Sequence, residues 1–419
     1  MTEKDADKDQ LRLKNIKVLL AGWVIWTPVQ EMSMPYSQLY KKELGASPFI
    51  ISLMDSVFNL SNSVSKILGG YLTDKYGRRK VLWIGTLLVS LSYLLYALAP
   101  TWEWLFVADA LNGIALFYQP ALTSVLADST IMELRGRIYS LIHVVPDVLS
   151  TFSPLGGAWI VENYGLVEGM RLLYTAAMAA GLIVTFMRWR WIEETLTRSR
   201  REFSFREAYK ESINFIKRNL IPLLMMEILV TLVMSLGFLY SYYKFYFLGI
   251  NEIQLGILAT LTSGVRIVFT YPLGYLVDKV GRGPVLKTSF VLGLVAAAAI
   301  ALAPARTNIT FPYIILAEVI SVVWMIAYWS VIAPLTADIV PLKMRGRVQS
   351  ILDLITSLVW IVGTLVAGKM YESLGPRIPF MLQAILMFAI MPLIWKLIDR
   401  LTREVDKKLK NKTQVKTIL

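Results

Sequence analysis

The string GYLTDKYGRR, Gly70 to Arg79, returns as GYLVDKVGRG, Gly274 to Gly283, after 204 positions. Each copy closes a long apolar run and opens a short basic loop. A second pair keeps nearly the same step: Ala127-Asp128 with Leu134-Arg135-Gly136-Arg137 recurs as Ala337-Asp338 with Met344-Arg345-Gly346-Arg347, 210 positions on. Loops that repeat at half-length mean two similar halves, and in a chain this apolar such halves are characteristic of a carrier built from membrane helices.

The apolar runs decide the class. A hydrocarbon layer of about 30 Å is crossed by roughly 20 helical residues, and twelve stretches here reach that length: 17–40, 48–72, 80–99, 104–127, 137–163, 170–190, 220–246, 253–276, 284–303, 311–335, 347–372 and 378–398. Six precede the longest polar segment and six follow it. The expected fold is an all-α membrane protein, twelve transmembrane helices arranged as two pseudo-symmetric six-helix bundles. The bundles are expected over 16–192 and 220–400, with a linker at 193–219 and a basic tail at 401–419. In the linker, Phe205, Tyr209, Ile213 and Ile216 recur at helical spacing between basic residues, which predicts an amphipathic segment on the membrane surface.

A net charge of +13 suggests nucleic acid until its placement is read. Lys and Arg gather in alternate connections: before Val18, at Lys75–Lys80, at Arg135 and Arg137, from Arg188 to Arg218, at Lys279–Lys287, at Lys343–Arg347 and after Trp395. The intervening loops hold only a few, such as Lys41, Lys42, Arg171 and Arg377. This bias places both termini in the cytoplasm of a multi-pass plasma (inner) membrane protein. The first fifteen residues lack the apolar core of a cleavable signal, so the first span is expected to direct insertion. With no cysteine and one histidine, thiol chemistry and a histidine-rich metal site are excluded, and no cofactor is expected. No nucleophile–base pattern and no phosphate loop occurs, so the chain reads as a carrier driven by an ion gradient and not as an enzyme.

The repeated loops resemble the signature of the major facilitator superfamily. Gly70, Asp74, Gly77 and Arg78 match its loop between helices 2 and 3, and Gly274, Asp278, Gly281 and Arg282 match the second-half copy. Asp128 with Arg135, and Asp338 with Arg345, resemble the loops after helices 4 and 10. The resemblance covers essentially the whole chain. It implies alternating access around a cavity lined chiefly by helices 1, 4, 7 and 10, a small-molecule substrate with protons as partners, and function as a monomer in the lipid bilayer. Helix 4 carries Asp109 where many proton-driven exporters of that family carry an arginine. Their helix 5 pattern survives only as Ser153-Pro154-Leu155-Gly156-Gly157.

A charge within the bilayer costs about 2.5–3.5 kcal/mol on insertion scales, so each intramembrane charge is a candidate. The acidic ones are Glu31, Asp55, Asp109, Asp147, Glu227, Glu318 and Asp353. Glu31 lies about 20 Å along span 1 at 1.5 Å per residue, beside Gln30 and between Pro28 and Pro35. Glu31, Asp55, Asp109 and Glu318 are the proton-coupling candidates. Span 2 bears one polar stripe, Asp55, Asn59, Asn62 and Lys66. Matching depths on helices that the resemblance makes neighbours pair Lys66 with Asp353 and Asp147 with Arg266 as bridges between the halves. His143 stands at the repeat-equivalent place of Asp353. Trp23, Trp26, Gln30, Tyr118, Gln119, Trp324 and Tyr328 are the candidate substrate contacts, since aromatic faces beside carboxylates hold lipophilic cations. The expected activity is proton-coupled export of amphipathic or cationic compounds; the alternative is uptake of a small organic anion on Lys66 or Arg266.

Overall fold

The computed structural model describes residues 3–130, 134–196, 205–341 and 344–418, with side chains from Leu13 onward except at 135–136, 201–208 and 403–419. The described residues form helices and no strand. In order they are α1 (Glu3–Ser33), a 3₁₀ turn (Met34–Tyr36), α2 (Ser37–Glu43), α3 (Pro48–Tyr76), α4 (Arg78–Leu98), α5 (Trp102–Ala115), a 3₁₀ turn (Leu116–Tyr118), α6 (Gln119–Ser129), α7 (Arg135–Ser150), α8 (Ser153–Tyr164) and α9 (Leu166–Trp191). Then follow α10 (Phe205–Asn219), α11 (Ile221–Ser235), the single turn α12 (Tyr240–Tyr242), a π-helical turn (Tyr243–Phe247), α13 (Glu252–Val280), α14 (Arg282–Ala301), α15 (Thr310–Ile339), α16 (Arg345–Ser373) and α17 (Ile378–Ile418).

Among the described residues, ten stretches of helix are long and apolar enough to cross a membrane. The other two spans, α1–α2 and α3, are polar for a reason that becomes clear at the site. Spans 1, 4 and 5 are each broken where a proline enters: Pro35 in the first 3₁₀ turn, Pro120 at the start of α6 and Pro154 at the start of α8. A proline ring clashes with the carbonyl four residues back and offers no N–H, so a new helix starts there. The freed carbonyls are tolerated at membrane depth because protein surrounds them.

The chain divides into two compact units, Met1–Arg200 with Leu239–Ser263, and Arg201–Phe238 with Gly264–Leu419. These bounds run differently from the sequence bundles, because the stretch 239–263 packs on α2 and α8. Tyr36 Oη donates to Glu252 O at 3.0 Å, Tyr242 N to Gln38 Oε1 at 3.1 Å and Tyr246 Oη to Glu43 Oε1 at 2.6 Å.

The internal repeat is visible in conformation as well as in letters. Among the described residues, the six glycines with left-handed φ fall into pairs: Gly45 with Gly249, Gly77 with Gly281, and Gly165 with Gly375, at the spacings of 204 and 210 seen in the loops. Each unit also closes its signature loops with one ion pair. Arg78 pairs with Asp128 in the first, and Arg282 Nη2 with Asp338 Oδ2 at 2.7 Å in the second. Arg171 Nη2 donates to Ala99 O and Arg377 Nη2 to Ala303 O, again equivalent bonds.

Gly77 and Gly375 differ in what surrounds them, and this sets an expected result. A Cβ on Gly375 would meet nothing within 4 Å, whereas on Gly77 it would lie 2.6 Å from Glu194 Oε2. Glu194 accepts from the backbone N–H groups of Arg78 and Arg79 at 3.1 and 3.2 Å, capping α4 where the helix dipole favours a carboxylate. Gly375→Ala should therefore cost only the backbone strain, about 1–2 kcal/mol, and Gly77→Ala distinctly more. Thermal unfolding of the detergent-purified protein, followed by tryptophan fluorescence, ranks the two; equal midpoints would remove the capping role of Glu194.

The amphipathic linker helix exists as α10, but its inward face differs from the expected stripe. Ser212 and Ile216 are buried and Phe215 packs on the apolar core of the second unit, while Ile213 is exposed. Phe205 lies outside the described side chains. The helix turns its stripe one position because it docks on α16 and α11. Burial pushes the Tyr209 phenol up, with the Arg347 charge acting against it.

Candidate functional site

The first unit contains a cavity of about 300 Å³ built from five segments. The α1–α2 break supplies Gln30, Ser33, Met34, Ser37 and Lys41. Asp55 and Phe58 come from α3, Tyr93 and Tyr96 from α4, Asp109 and Asn112 from α5, and Tyr174 from α9. These polar groups explain why α1–α2 and α3 read as weak spans: their polarity faces protein, where a membrane helix must keep it.

At the wall stands a buried ion pair. Lys41 Nζ lies 2.6 Å from Asp109 Oδ2, and Tyr96 Oη donates to Asp109 Oδ1 at 2.5 Å. Lys41 is 8% and Asp109 5% exposed. Both carboxylate oxygens therefore carry charge-assisted bonds, the arrangement a buried ion pair needs to offset its desolvation. Asn112 Nδ2 donates to Ser92 Oγ at 2.7 Å and Tyr40 Oη to Tyr96 O at 2.8 Å, fixing α4 against its neighbours. Tyr93, Tyr96 and Tyr174 form a triangle of rings with centroids 5.0–5.9 Å apart. The cavity thus offers carboxylates, one ammonium and aromatic faces in one space.

Of the residues singled out from sequence, Gln30, Asp55 and Asp109 line this cavity. Trp26 stands just behind it, donating Nε1 to Gln30 Oε1 at 3.0 Å and meeting the Tyr93 ring edge-on at 5.4 Å. Glu31 follows Gln30 on α1 but is not among the lining residues. Trp23 packs at the core of the unit with its ring 6.3 Å from that of His143. Tyr118 packs on the face of α4 left open by Gly85, and Gln119 opens α6.

In the second unit, Trp324 and Tyr328 were expected on a cavity and instead are 6% and 4% exposed within the apolar core. Glu318 is buried on α15. Asp353 accepts from Gln349 Nε2 at 2.8 Å on its own helix, and Glu227 of α11 lies within electrostatic reach of Asp353 and Tyr328. Lys66 and Asp147 are half-buried in the first unit; Arg266 is exposed in the second. Of the signature residues, Asp74, Asp278 and Arg345 are exposed, Gly70 and Gly274 have open space at the Cβ, and the Arg135 side chain lies outside the described set.

Sequence reasoning missed Lys41, Tyr93, Tyr96 and Tyr174. Lys41 counted as a loop residue, yet Pro35 restarts the helix and carries it inward. The tyrosines sit on spans 3 and 6, outside the helices that the resemblance assigns to the cavity. The signal available was the spacing of Tyr93 and Tyr96 on one helical face. Arg188, read as part of the basic linker, is likewise interior: 4% exposed, donating to Thr86 Oγ1 at 2.6 Å and stacked on the Tyr118 ring at 5.5 Å.

Twelve membrane-spanning segments in two repeated halves, with a polar cavity at a helix break, define a membrane carrier. The family model of the Major Facilitator Superfamily matches residues 19–248 and again 233–418, and the chain belongs to that superfamily. Multidrug resistance protein 2 of Bacillus subtilis (strain 168) is 24% identical over 296 residues, 68% of this chain and 70% of that one. A Na(+), Li(+), K(+)/H(+) antiporter of Planococcus maritimus is 26% identical over 196 residues, covering 44% of this chain and 43% of the antiporter. Among solved structures, the nucleoside transporter NupG (TM-score 0.68, 16% identity, 92% of this chain and 98% of that chain) and a D-xylose-proton symporter (TM-score 0.69, 15% identity, 92% and 97%) share the fold.

Proposed function

We propose that the protein is a proton-coupled exporter of amphipathic or cationic small molecules, working by alternating access as a monomer with both termini in the cytoplasm. The observation that carries this reading is the cavity, where Asp55 and Asp109 stand among three tyrosine rings. Carboxylates provide the charge that a cation needs, and aromatic faces add cation–π attraction of about 0.5–2 kcal/mol. The likeness to multidrug resistance protein 2 and to a cation/proton antiporter supports the same reading. No observation favours uptake of an organic anion on Lys66 or Arg266, and that alternative is not carried further.

Asp55 is the proposed proton carrier. It lines the cavity, and binding of a proton or of a cation at one carboxylate is mutually exclusive, which is the minimum that exchange requires. In proteoliposomes, an imposed proton gradient should drive uptake or release of tetraphenylphosphonium, with proton movement in the opposite direction. Asp55→Asn should cut the substrate-linked proton flux by roughly tenfold or more, the equivalent of about 1.4 kcal/mol. Glu31→Gln is the companion variant, expected to leave the flux largely intact because Glu31 does not line the cavity. Unchanged flux in Asp55→Asn would remove Asp55 from coupling, and no cation movement by the wild type would remove the substrate class.

A further inference from the structure

One of the two carboxylates in this cavity, that of Asp109, is already occupied by the chain itself. Lys41 Nζ sits 2.6 Å from Asp109 Oδ2, both residues line the cavity, and the rings of Tyr93, Tyr96 and Tyr174 stand around the same space. A cation entering here would look for those groups: a carboxylate held by Tyr96, with aromatic faces beside it. The ammonium of Lys41 stands where the head of that cation would stand.

The segment that carries Lys41 is set off from the rest of span 1 by a helix break. α2 is a seven-residue helix joined to α1 through the 3₁₀ turn at Pro35. It is tied on two sides: Gln38 to Tyr242, Glu43 to Tyr246 and Tyr36 of the turn to Glu252, and Tyr40 to the Tyr96 carbonyl of α4. With α2 held on both sides, the part that can move is the Lys41 side chain, an ammonium on a flexible four-carbon stem. Swinging that stem draws Nζ off Asp109 while α2, α5 and Tyr96 keep their places.

Resting on the reading of cation transport, we propose that Lys41 is a tethered counter-cation that competes with the transported cation for Asp109, its ammonium swinging off to admit the cation and returning to displace it. Lys41 is thereby a specificity-determining residue. Its return keeps Asp109 paired when the cavity is empty, and it sets a floor on how tightly a cation must bind to enter. An occupant that holds the site most of the time lowers the apparent affinity of a competitor by the fraction of time the site is free.

The test is equilibrium binding of tetraphenylphosphonium to the purified full chain, with transport measured in parallel. Lys41→Met should bind the cation about tenfold or more tightly, since the competitor is gone, and should release it more slowly. Lys41→Arg keeps the charge and grips the carboxylate with a planar fork, so binding should weaken. Asp109→Asn should weaken binding about tenfold, and adding Lys41→Met to it should restore nothing. Lys41→Met leaves a buried carboxylate unpaired, so its fold is checked by the rise in unfolding temperature with added cation, which should exceed the rise in wild type. If Lys41→Met binds no tighter, or if the Met and Arg variants shift in the same direction, the pair is purely structural and the inference fails while cation transport stands. If neither wild type nor Lys41→Met binds or moves the cation, the inference falls together with the proposed function.

Discussion

Asp109→Ala is expected to destabilise the purified protein by about 3–5 kcal/mol, the loss found when one partner of a buried ion pair is removed. Lys41 would be left 8% exposed with no carboxylate at its Nζ, and the phenol of Tyr96 would lose its acceptor. Coupling is the discriminating part of the result. Replacing both partners with apolar residues of similar volume, Lys41→Met with Asp109→Leu, should recover most of the stability, because an ion pair exchanged for well-packed side chains is often neutral. Transport should not recover, since the cavity would keep its walls but lose this carboxylate. Tryptophan-monitored unfolding in detergent and cation flux in proteoliposomes measure the two halves of the expectation. A double variant no more stable than Asp109→Ala would mean that the ion pair itself is indispensable to the fold.

Gly113→Leu is expected to abolish transport and to lower folded yield severely. A Cβ at Gly113 would lie 2.6 Å from Phe58 O and 2.8 Å from Ser61 Cβ, so α5 touches the backbone of α3 there. Ser65 Oγ, which donates to Gly113 O at 2.9 Å, crosses the same contact. Small residues at such crossings let membrane helices approach closely, and a carbonyl oxygen cannot move aside as a flexible side-chain tip can. Overpacking of this kind costs about 1–3 kcal/mol, occasionally more. Here it would also part Asp55 and Phe58 from Asp109 and Asn112, the two walls of the cavity. Gly70→Ala, whose Cβ meets nothing within 4 Å, is the matched control for folded yield and should stay within about 0.5 kcal/mol of wild type. Equal yields from Gly113→Leu and Gly70→Ala would show that α3 and α5 do not depend on this contact.

The pair of helices joined at Gly113 also shows how far reading by letters goes. That α3 carries a polar stripe follows from the spacing of Asp55, Asn59, Asn62 and Lys66, since a helix repeats every 3.6 residues and lipid tolerates no such stripe. What the stripe faces does not follow. Asp55 reaches the cavity, whereas the Oδ1 of Asn62 is buried without a hydrogen-bond partner. The aromatic candidates show the same limit. Trp26 and Trp324 both sit mid-helix in apolar surroundings, yet one stands behind the cavity and the other packs on Gly293 in the core.

Sequence by itself determined the apolar spans, the duplicated halves and the polar stripe of α3. All of these depend on local rules: length against bilayer thickness, recurrence of a string along the chain, and periodicity along one helix. Only the tertiary structure decided which charges meet. Lys41 and Asp109 are 68 residues apart and on different spans, and nothing local brings them together. The proline-broken turn before α2 and the close crossing at Gly113 bring both side chains to one buried point at the cavity wall. In a medium that cannot solvate either charge, that meeting fixes the chemistry of the site.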